Sequence, residues 1–102
     1  MKECCRKYLS EQFGGDMEVV DAIYAEYVSS IGAKTAEADA ALAAGAWDAL
    51  DRAAHTVKGN ALAAGDQQMA DTAIALRNAA KLQERDQSAQ LIANMKELAA
   101  QL

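Results

Sequence analysis

The amino-acid sequence predicts an all-α domain, and three observations lead to that fold class. Alanine, the residue with the highest helix propensity, fills 25 of the 102 positions, and proline is absent. Aromatic residues number only five, too few for a β-sandwich or barrel, since strands favour aromatic and β-branched side chains. Apolar residues recur at alternating intervals of three and four, which is the period of an amphipathic helix. A chain of 102 residues supports one hydrophobic core, so we expect a single domain over residues 1–102.

The first two predicted helices are separated by a pair of glycines. Gly14 and Gly15 precede Asp16, a residue type that often caps a helix, so a short first helix should end near Phe13. A second helix should run from about residue 16 to about residue 44, because one apolar stripe continues through that segment. The stripe consists of Val20, Tyr24, Tyr27, Ile31, Thr35, Ala38 and Leu42. Gly32 costs about 1 kcal/mol relative to alanine and is a place where this helix can bend.

The third and fourth predicted helices are bounded by glycines and an aspartate. Gly45 ends the second helix, and a third runs over Ala46–Ala64 until Gly65 stops it. Its apolar stripe is Trp47, Leu50, Ala54, Val57, Ala61 and Ala64. Asp66 caps the fourth helix. The stripe of that helix is Met69, Ala73, Leu76 and Ala80.

The last predicted helix follows a polar turn at Gln83–Asp86, and either Asp86 or Ser88 should cap it. Its apolar stripe is Leu91, Met95, Leu98 and Leu102. Four such helices joined by short turns predict an antiparallel up-down-up-down four-helix bundle. The short N-terminal helix should cover one end of the bundle with Tyr8, Leu9 and Phe13.

Composition and charge exclude several classes of function. The net charge of −5 disfavours binding to nucleic acid phosphates. The longest apolar run, Ala40–Trp47, is too short to cross a bilayer, and the N-terminal residues lack the apolar segment of a secretion signal. We therefore expect a soluble, cytoplasmic monomer without membrane contact. Cys4 and Cys5 should be free thiols, because a disulfide between neighbours is strained and two thiols are too few for a metal site.

His55 is the only histidine, and the chemistry of the chain depends on it. At about 100° per residue, its side chain lies about 130° from the apolar stripe of the third helix, on the solvent side. Gly59 leaves the next turn bare, and Lys58 places a cation near the ring. Leu62 adds an apolar side chain to this face, and we expect it at the centre of a partner contact. Because neutral imidazole is nucleophilic and an ammonium offsets phosphoryl charge, these residues indicate a histidine that accepts and releases a phosphoryl group.

Arg77 is expected to lie beside His55. The histidine precedes Gly65 by 10 residues and the arginine follows it by 12. At a rise of about 1.5 Å per residue, the two lie roughly 15 and 18 Å from the turn, nearly at the same height. Arg77 is also about 70° from the apolar stripe of its helix, on the shoulder. We expect Arg77, with Lys58, to stabilise the phosphorylated state; the alternative is a surface arginine paired with a nearby acid.

The residues around the histidine carry a family resemblance. The run Ala54–Ala61, with Gly65 ten residues after the histidine, resembles the signature of histidine-containing phosphotransfer (HPt) domains. Phe13–Asp16 before the long helix, Ala40–Trp47 before the histidine helix and the leucine-bearing helices after it are similar to the family's layout. The resemblance covers nearly the whole chain.

This resemblance implies a phosphoryl carrier of two-component signalling and not an enzyme. The donor would be a phospho-aspartate on the receiver domain of a response regulator, and the acceptor an aspartate on another receiver. A hybrid sensor kinase is a further partner that it allows. His55 would be phosphorylated through its outward ring nitrogen, with Lys58 as charge partner and Gly59 giving access. No cofactor is expected on this chain, because Mg²⁺ would sit on the receiver and no ATP site is present. Asn60 and Arg77 depart from the family's usual residues, which affects partner choice or phosphohistidine lifetime.

Two other functions are compatible with a helical bundle. A non-catalytic interaction module would dock a receiver or kinase without using the histidine. A metal or haem carrier would need several inward Glu or His ligands, and this chain has one outward histidine. Smaller features have structural interpretations: Tyr24, Tyr27 and Trp47 are expected in the core. Asp48, Asp51 and Arg52 are expected to form a solvated face with ion pairs within the helix.

Overall fold

The computed structural model describes all residues from 1 to 102 and contains five α-helices and no strands. The helices are α1 (Glu3–Gln12), α2 (Met17–Ala44), α3 (Trp47–Ala64), α4 (Gln67–Lys81) and α5 (Arg85–Ala100). The predicted all-helical class is therefore confirmed. None of the five helices is both long enough and apolar enough to cross a membrane.

The long helix α2 follows the predicted stripe from end to end. Asp16 begins it, because its side chain accepts a hydrogen bond from the backbone N–H of Val19 at 3.3 Å. The helix continues through Gly32 to Gly45, which takes the left-handed conformation that glycine adopts without strain. All seven residues of the predicted stripe are buried, and Ala41 joins them. The stripe thus gives α2 its single core-facing side.

The connections after α2, α3 and α4 share one backbone motif. At each, a residue with positive φ ends the helix, and the following N–H returns to a carbonyl five residues earlier. Gly45 and Gly65 take this position after α2 and α3, as predicted, and Gln83 takes it after α4 with φ of 53°. The chain therefore leaves each helix and enters the next within two or three residues, which forces consecutive helices to pack side by side.

The start of α5 differs from the prediction. The helix begins at Arg85, and Glu84 occupies the N-cap position without a capping side-chain bond. Asp86 and Ser88 therefore lie inside the helix, and neither caps it. The reason is the left-handed Gln83: it ends α4 and turns the chain at once, whereas the polar sequence suggested a longer turn. α3 also begins one residue later than predicted, with Ala46 at its N-cap.

The helices α2 to α5 enclose one core. α2 packs against α3 and α5, and α4 packs against the same two helices, so the contacts form a closed ring. Polar contacts join the helices at the surface of the ring, such as Lys96 Nζ to Asp39 Oδ2 at 2.6 Å. Arg85 Nη1 donates to the carbonyl of Leu42 at 3.0 Å, and its guanidinium lies 5.7 Å from the centre of the Trp47 ring. Tyr24 and Tyr27 lie in the core as predicted, whereas Trp47 is only half-buried.

The short helix α1 lies against α2 and α3, near the turn that joins α3 to α4. Cys5 and Leu9, four residues apart, form its buried side. The predicted role of Phe13 in this cover is wrong, because the side chain is 45% exposed. α1 ends at Gln12, and the backbone of Phe13 (φ of −116°) carries it away from the stripe of Cys5 and Leu9.

A buried carboxylate fixes α1 to the ring of helices. Asp66 is fully buried and accepts hydrogen bonds from Lys2 Nζ at 3.0 Å and from the Tyr27 hydroxyl at 2.8 Å. It also caps α4 by accepting from the N–H of Met69 at 3.3 Å, as predicted. Burial and the bond to Asp66 raise the pKa of Tyr27, so this hydroxyl keeps its proton and donates it. Beside it, a Cβ placed on Gly65 would overlap the side chain of Tyr8, so glycine is needed for α1 to dock.

Candidate functional site

His55 lies on the outer face of α3, with its side chain exposed to solvent. The opposite face of this helix is buried. The buried residues are Leu50, Ala53, Ala54, Val57, Ala61 and Ala64. Gly59 and Leu62 follow His55 at intervals of four and three, so the three residues lie in one row along the exposed face. The helix thus presents the ring to solvent and uses its other face for packing.

Arg77 on α4 reaches the histidine ring. Its Nη1 lies 3.0 Å from His55 Nδ1, and its Nε donates to Asp51 Oδ1 at 2.9 Å. The side chains of Arg77 and Asp51 are 24% and 27% exposed, so this ion pair is partly shielded from solvent. The structure therefore brings Arg77 and His55 together across the α3–α4 groove, with Asp51 one turn before the histidine as the anchor of the arginine.

The contact between Arg77 and the ring has one possible polarity. A guanidinium carries five N–H donors and no acceptor, and it stays charged at all ordinary pH values. The ring atom Nδ1 must then supply a lone pair, and the proton of a neutral imidazole lies on Nε2. Nε2 has no hydrogen-bond partner in the chain. The arginine thus occupies the inner nitrogen and leaves the outer one facing solvent.

Asp51 has a role that the sequence analysis missed. The expected ion pairs within α3 among Asp48, Asp51 and Arg52 do not form. Asp51 pairs with Arg77 on the neighbouring helix instead. The hydrogen bond from Arg77 holds the pKa of Asp51 below its ordinary value of 3.8, so the carboxylate is charged near neutral pH. The available signal was its place one turn before His55: it lies about 21 Å from the turn at Gly65, within one helical turn of the height worked out for Arg77.

Lys58 and Gly59 flank the ring on the next turn of α3. Lys58 is half-buried and forms no ion pair or hydrogen bond with another side chain. A Cβ added to Gly59 would meet no atom of the chain within 4 Å. Packing within the protein therefore gives no reason for a glycine at this position, although it costs about 1 kcal/mol of helix stability relative to alanine.

Asn60 and Leu62 point in different directions from the helix. The amide of Asn60 donates to the hydroxyl of Ser30 on α2 at 2.6 Å, about 140° around α3 from His55. The structure therefore does not bring Asn60 to the ring. Leu62 is 44% exposed, and Ile74, one turn before Arg77 on α4, is 41% exposed. The surface near His55 thus carries two large apolar side chains, of which the sequence analysis identified only the first.

No group of three or more His, Cys, Asp or Glu side chains is placed to hold a metal ion. The thiols of Cys4 and Cys5 lie on α1 and are free, the first exposed and the second buried. The site at His55 includes the charged groups of Lys58, Arg77 and the Asp51 carboxylate.

The fold and the site define a helical domain that presents one histidine, with cations beside it, on an open surface. The family model for the Hpt domain matches residues 22–102, which takes in α3, α4 and α5 whole and most of α2. The chain belongs to this family, the Hpt domains of two-component phosphorelay systems. Domains of the family are phosphoryl carriers and interact with the receiver domains of response regulators. No curated protein and no solved structure matches the chain in these comparisons.

Proposed function

We propose that His55 accepts a phosphoryl group from the phospho-aspartate of one receiver domain and passes it to the aspartate of another. The observation that carries this proposal is the exposed ring with an unpartnered Nε2 on a helix face where Gly59 leaves open space. In the accepting step, the ring proton moves through solvent from Nε2 to Nδ1, and the lone pair that this frees on Nε2 forms the N–P bond. The bond between phosphorus and the aspartyl oxygen breaks, and its electron pair stays on the carboxylate. Passing the group on reverses these changes at a second receiver.

The neighbours of His55 have separate parts in this proposal. Lys58, which has no partner within the chain, offsets charge on the phosphoryl oxygens. Gly59 lets the receiver's backbone come close to the ring. Leu62 lies in the same row and forms the apolar centre of the docking surface. Mg²⁺ is supplied by the receiver, and this chain contributes no cofactor.

The proposed arrangement of the helices is the antiparallel up-down-up-down bundle. The contacts of Ser30 with Asn60 and of Arg77 with His55 support it, since each joins residues at similar distances before and after a turn: 15 and 15 residues from Gly45, and 10 and 12 from Gly65. The proposed domain acts as a monomer, so that one His55 surface serves donor and acceptor receivers in turn. A hybrid sensor kinase is a further source of the donor receiver.

Incubation with a phosphorylated receiver domain tests the proposal. We expect acid-labile, alkali-stable phosphate on the wild-type chain and none on His55→Gln. Because the ring is exposed, the free energy of unfolding of this variant should lie within about 0.5 kcal/mol of the wild-type value. Thermal melting followed by circular dichroism provides that control. Phosphate on the His55→Gln variant would refute the assignment of the site. Binding of the receiver without any transfer to the wild type would favour a non-catalytic interaction module.

A further inference from the structure

The position of Arg77 is fixed from two sides. Its Nε is held by Asp51 at 2.9 Å and its Nη1 lies 3.0 Å from His55 Nδ1, so one planar group bridges the carboxylate and the ring. The pair is partly buried between α3 and α4, and a planar guanidinium loses little freedom when it forms such bonds. The arginine is thus anchored to the helix that carries the histidine.

This anchored arginine determines where the ring carries its proton. With Nδ1 accepting from Arg77, the neutral ring has its proton on Nε2. The lone pair of Nδ1 is engaged, and the remaining electron pair of a protonated Nε2 belongs to the aromatic system. Neither nitrogen is a nucleophile in this state. The exposed Nε2 becomes one only when the proton moves to Nδ1, which Arg77 has to vacate.

We propose that Arg77, held by Asp51, is a positioning residue that slows phosphoryl entry and exit at His55 and so lengthens the life of the phosphorylated state. The inference rests on the proposed phosphotransfer function and assigns the regulation of that same site. It differs from charge stabilisation by a surface cation, because the effect passes through the proton on the ring.

The proton balance of each step supports this role. For entry, Arg77 leaves Nδ1, solvent moves the proton from Nε2 to Nδ1, and Nε2 attacks phosphorus while the aspartyl P–O bond breaks. Nδ1 then gives its proton to water, and the contact with Arg77 forms again. For exit, the ring is a better leaving group when Nδ1 is protonated, and the contact with Arg77 keeps Nδ1 unprotonated. The unphosphorylated and the phosphorylated ring both accept the hydrogen bond from Arg77. Breaking it therefore raises the barriers to phosphoryl entry and to phosphoryl exit alike, and the equilibrium between the two states changes little.

The tautomer can be measured without any phosphotransfer. His55 is the only histidine, so ¹⁵N-labelling of histidine gives one imidazole in a long-range ¹H–¹⁵N spectrum. At about pH 8.5, where free imidazole is neutral, we expect the wild type to carry its proton on Nε2. In Arg77→Gln, the amide oxygen accepts from Nδ1–H, and the population should move towards that tautomer. A wild-type ring protonated mainly on Nδ1 would overturn the proposal.

Kinetics with phosphoramidate, a small donor that needs no receiver, test the consequence. Arg77→Gln should raise the rate of phosphorylation and shorten the phosphohistidine half-life, each about fivefold, which is the effect of a hydrogen bond of about 1 kcal/mol. Arg77→Lys is the matched control, since lysine keeps the charge and also only donates; it should remain slower than Arg77→Gln in both assays. Asp51→Asn should lie between wild type and Arg77→Gln.

The outcomes separate this inference from the proposed function. Slower phosphorylation in Arg77→Gln would mean that the arginine assists phosphoryl entry by its charge, and a longer half-life would mean that it speeds phosphoryl exit. Either result would overturn the proton-based role. Equal rates in wild type and Arg77→Gln would overturn it as well, while leaving phosphotransfer at His55 intact. If His55 takes up no phosphate in any of these proteins, the proposed function itself fails.

Discussion

Replacing Gly59 by alanine should make the protein more stable and a poorer phosphoryl carrier. The added Cβ meets no atom of the chain within 4 Å, so no steric cost opposes the higher helix propensity of alanine. In the interior of an exposed helix that propensity is about 0.8–1.0 kcal/mol. For a domain of about this size, 1 kcal/mol corresponds to a rise in melting temperature of roughly 4–8 °C. Transfer should slow by about fivefold or more, because even one methyl group in a tight partner contact costs about 1 kcal/mol.

The chain offers a matched control for this experiment. Gly32 also lies inside a long helix, and a Cβ there likewise meets nothing within 4 Å. It is about 200° around α2 from Ser30, the residue that contacts α3, and so faces away from the site. Gly32→Ala should give the same gain in stability and leave transfer unchanged.

Thermal melting measures the stability of each variant, and quenched time-course assays with a phosphorylated receiver measure the rate of phosphoryl transfer. The reasoning fails if Gly59→Ala lowers the melting temperature, since the space around the glycine would then be needed by the chain itself. It also fails if both glycine variants transfer phosphate at the wild-type rate, because the bare turn would then serve no partner.

Three further predictions concern other parts of the molecule. Gln83→Gly should raise the free energy of unfolding, measured by denaturant titration, by about 0.5–1 kcal/mol, because glycine adopts the positive φ after α4 without strain. A loss of stability would show that the Gln83 side chain stabilises this turn. Leu62→Asp should slow transfer from a receiver but leave labelling by phosphoramidate unchanged, and equal effects in both assays would place the leucine outside the docking surface. Burial raises the pKa of Cys5 to about 12, so at pH 8 iodoacetamide should modify Cys4 and leave Cys5 unmodified. Equal rates of alkylation at the two thiols, measured by mass spectrometry, would mean that α1 undocks.

Regular helices could be predicted well from the sequence because their signals are local. The predicted stripe in α2 has seven members at intervals of three or four residues. Gly45 and Gly65 mark helix ends by a left-handed conformation that other residues rarely adopt. The start of α5 was missed because Gln83 adopts that conformation without being glycine. Phe13 was misplaced because its position relative to α1 depends on one backbone angle beyond the helix end.

The candidate site was predictable in part, for a related reason. The exposure of His55 and the height of Arg77 follow from helix geometry alone, and the structure agrees with both. The pairing of Asp51 with Arg77 depends on how α3 and α4 are rotated against each other, which the sequence does not state. The resemblance connected Asn60 with partner choice or phosphohistidine lifetime, but its bond to Ser30 on α2 turns it away from the ring, and that bond depends on the approach of α2.

Replacing Gly59, inside α3, should have different consequences from replacing Gly65, at the end of that helix. At Gly65, any side chain would face both the strain of a positive φ and the overlap with Tyr8. A variant library scored for the abundance of folded protein should therefore lose nearly every replacement at position 65 and keep those at Gly59. The same library scored for signalling output should lose both. The difference between the two scores, position by position, would draw the outline of the receiver's footprint on this domain without a structure of the complex.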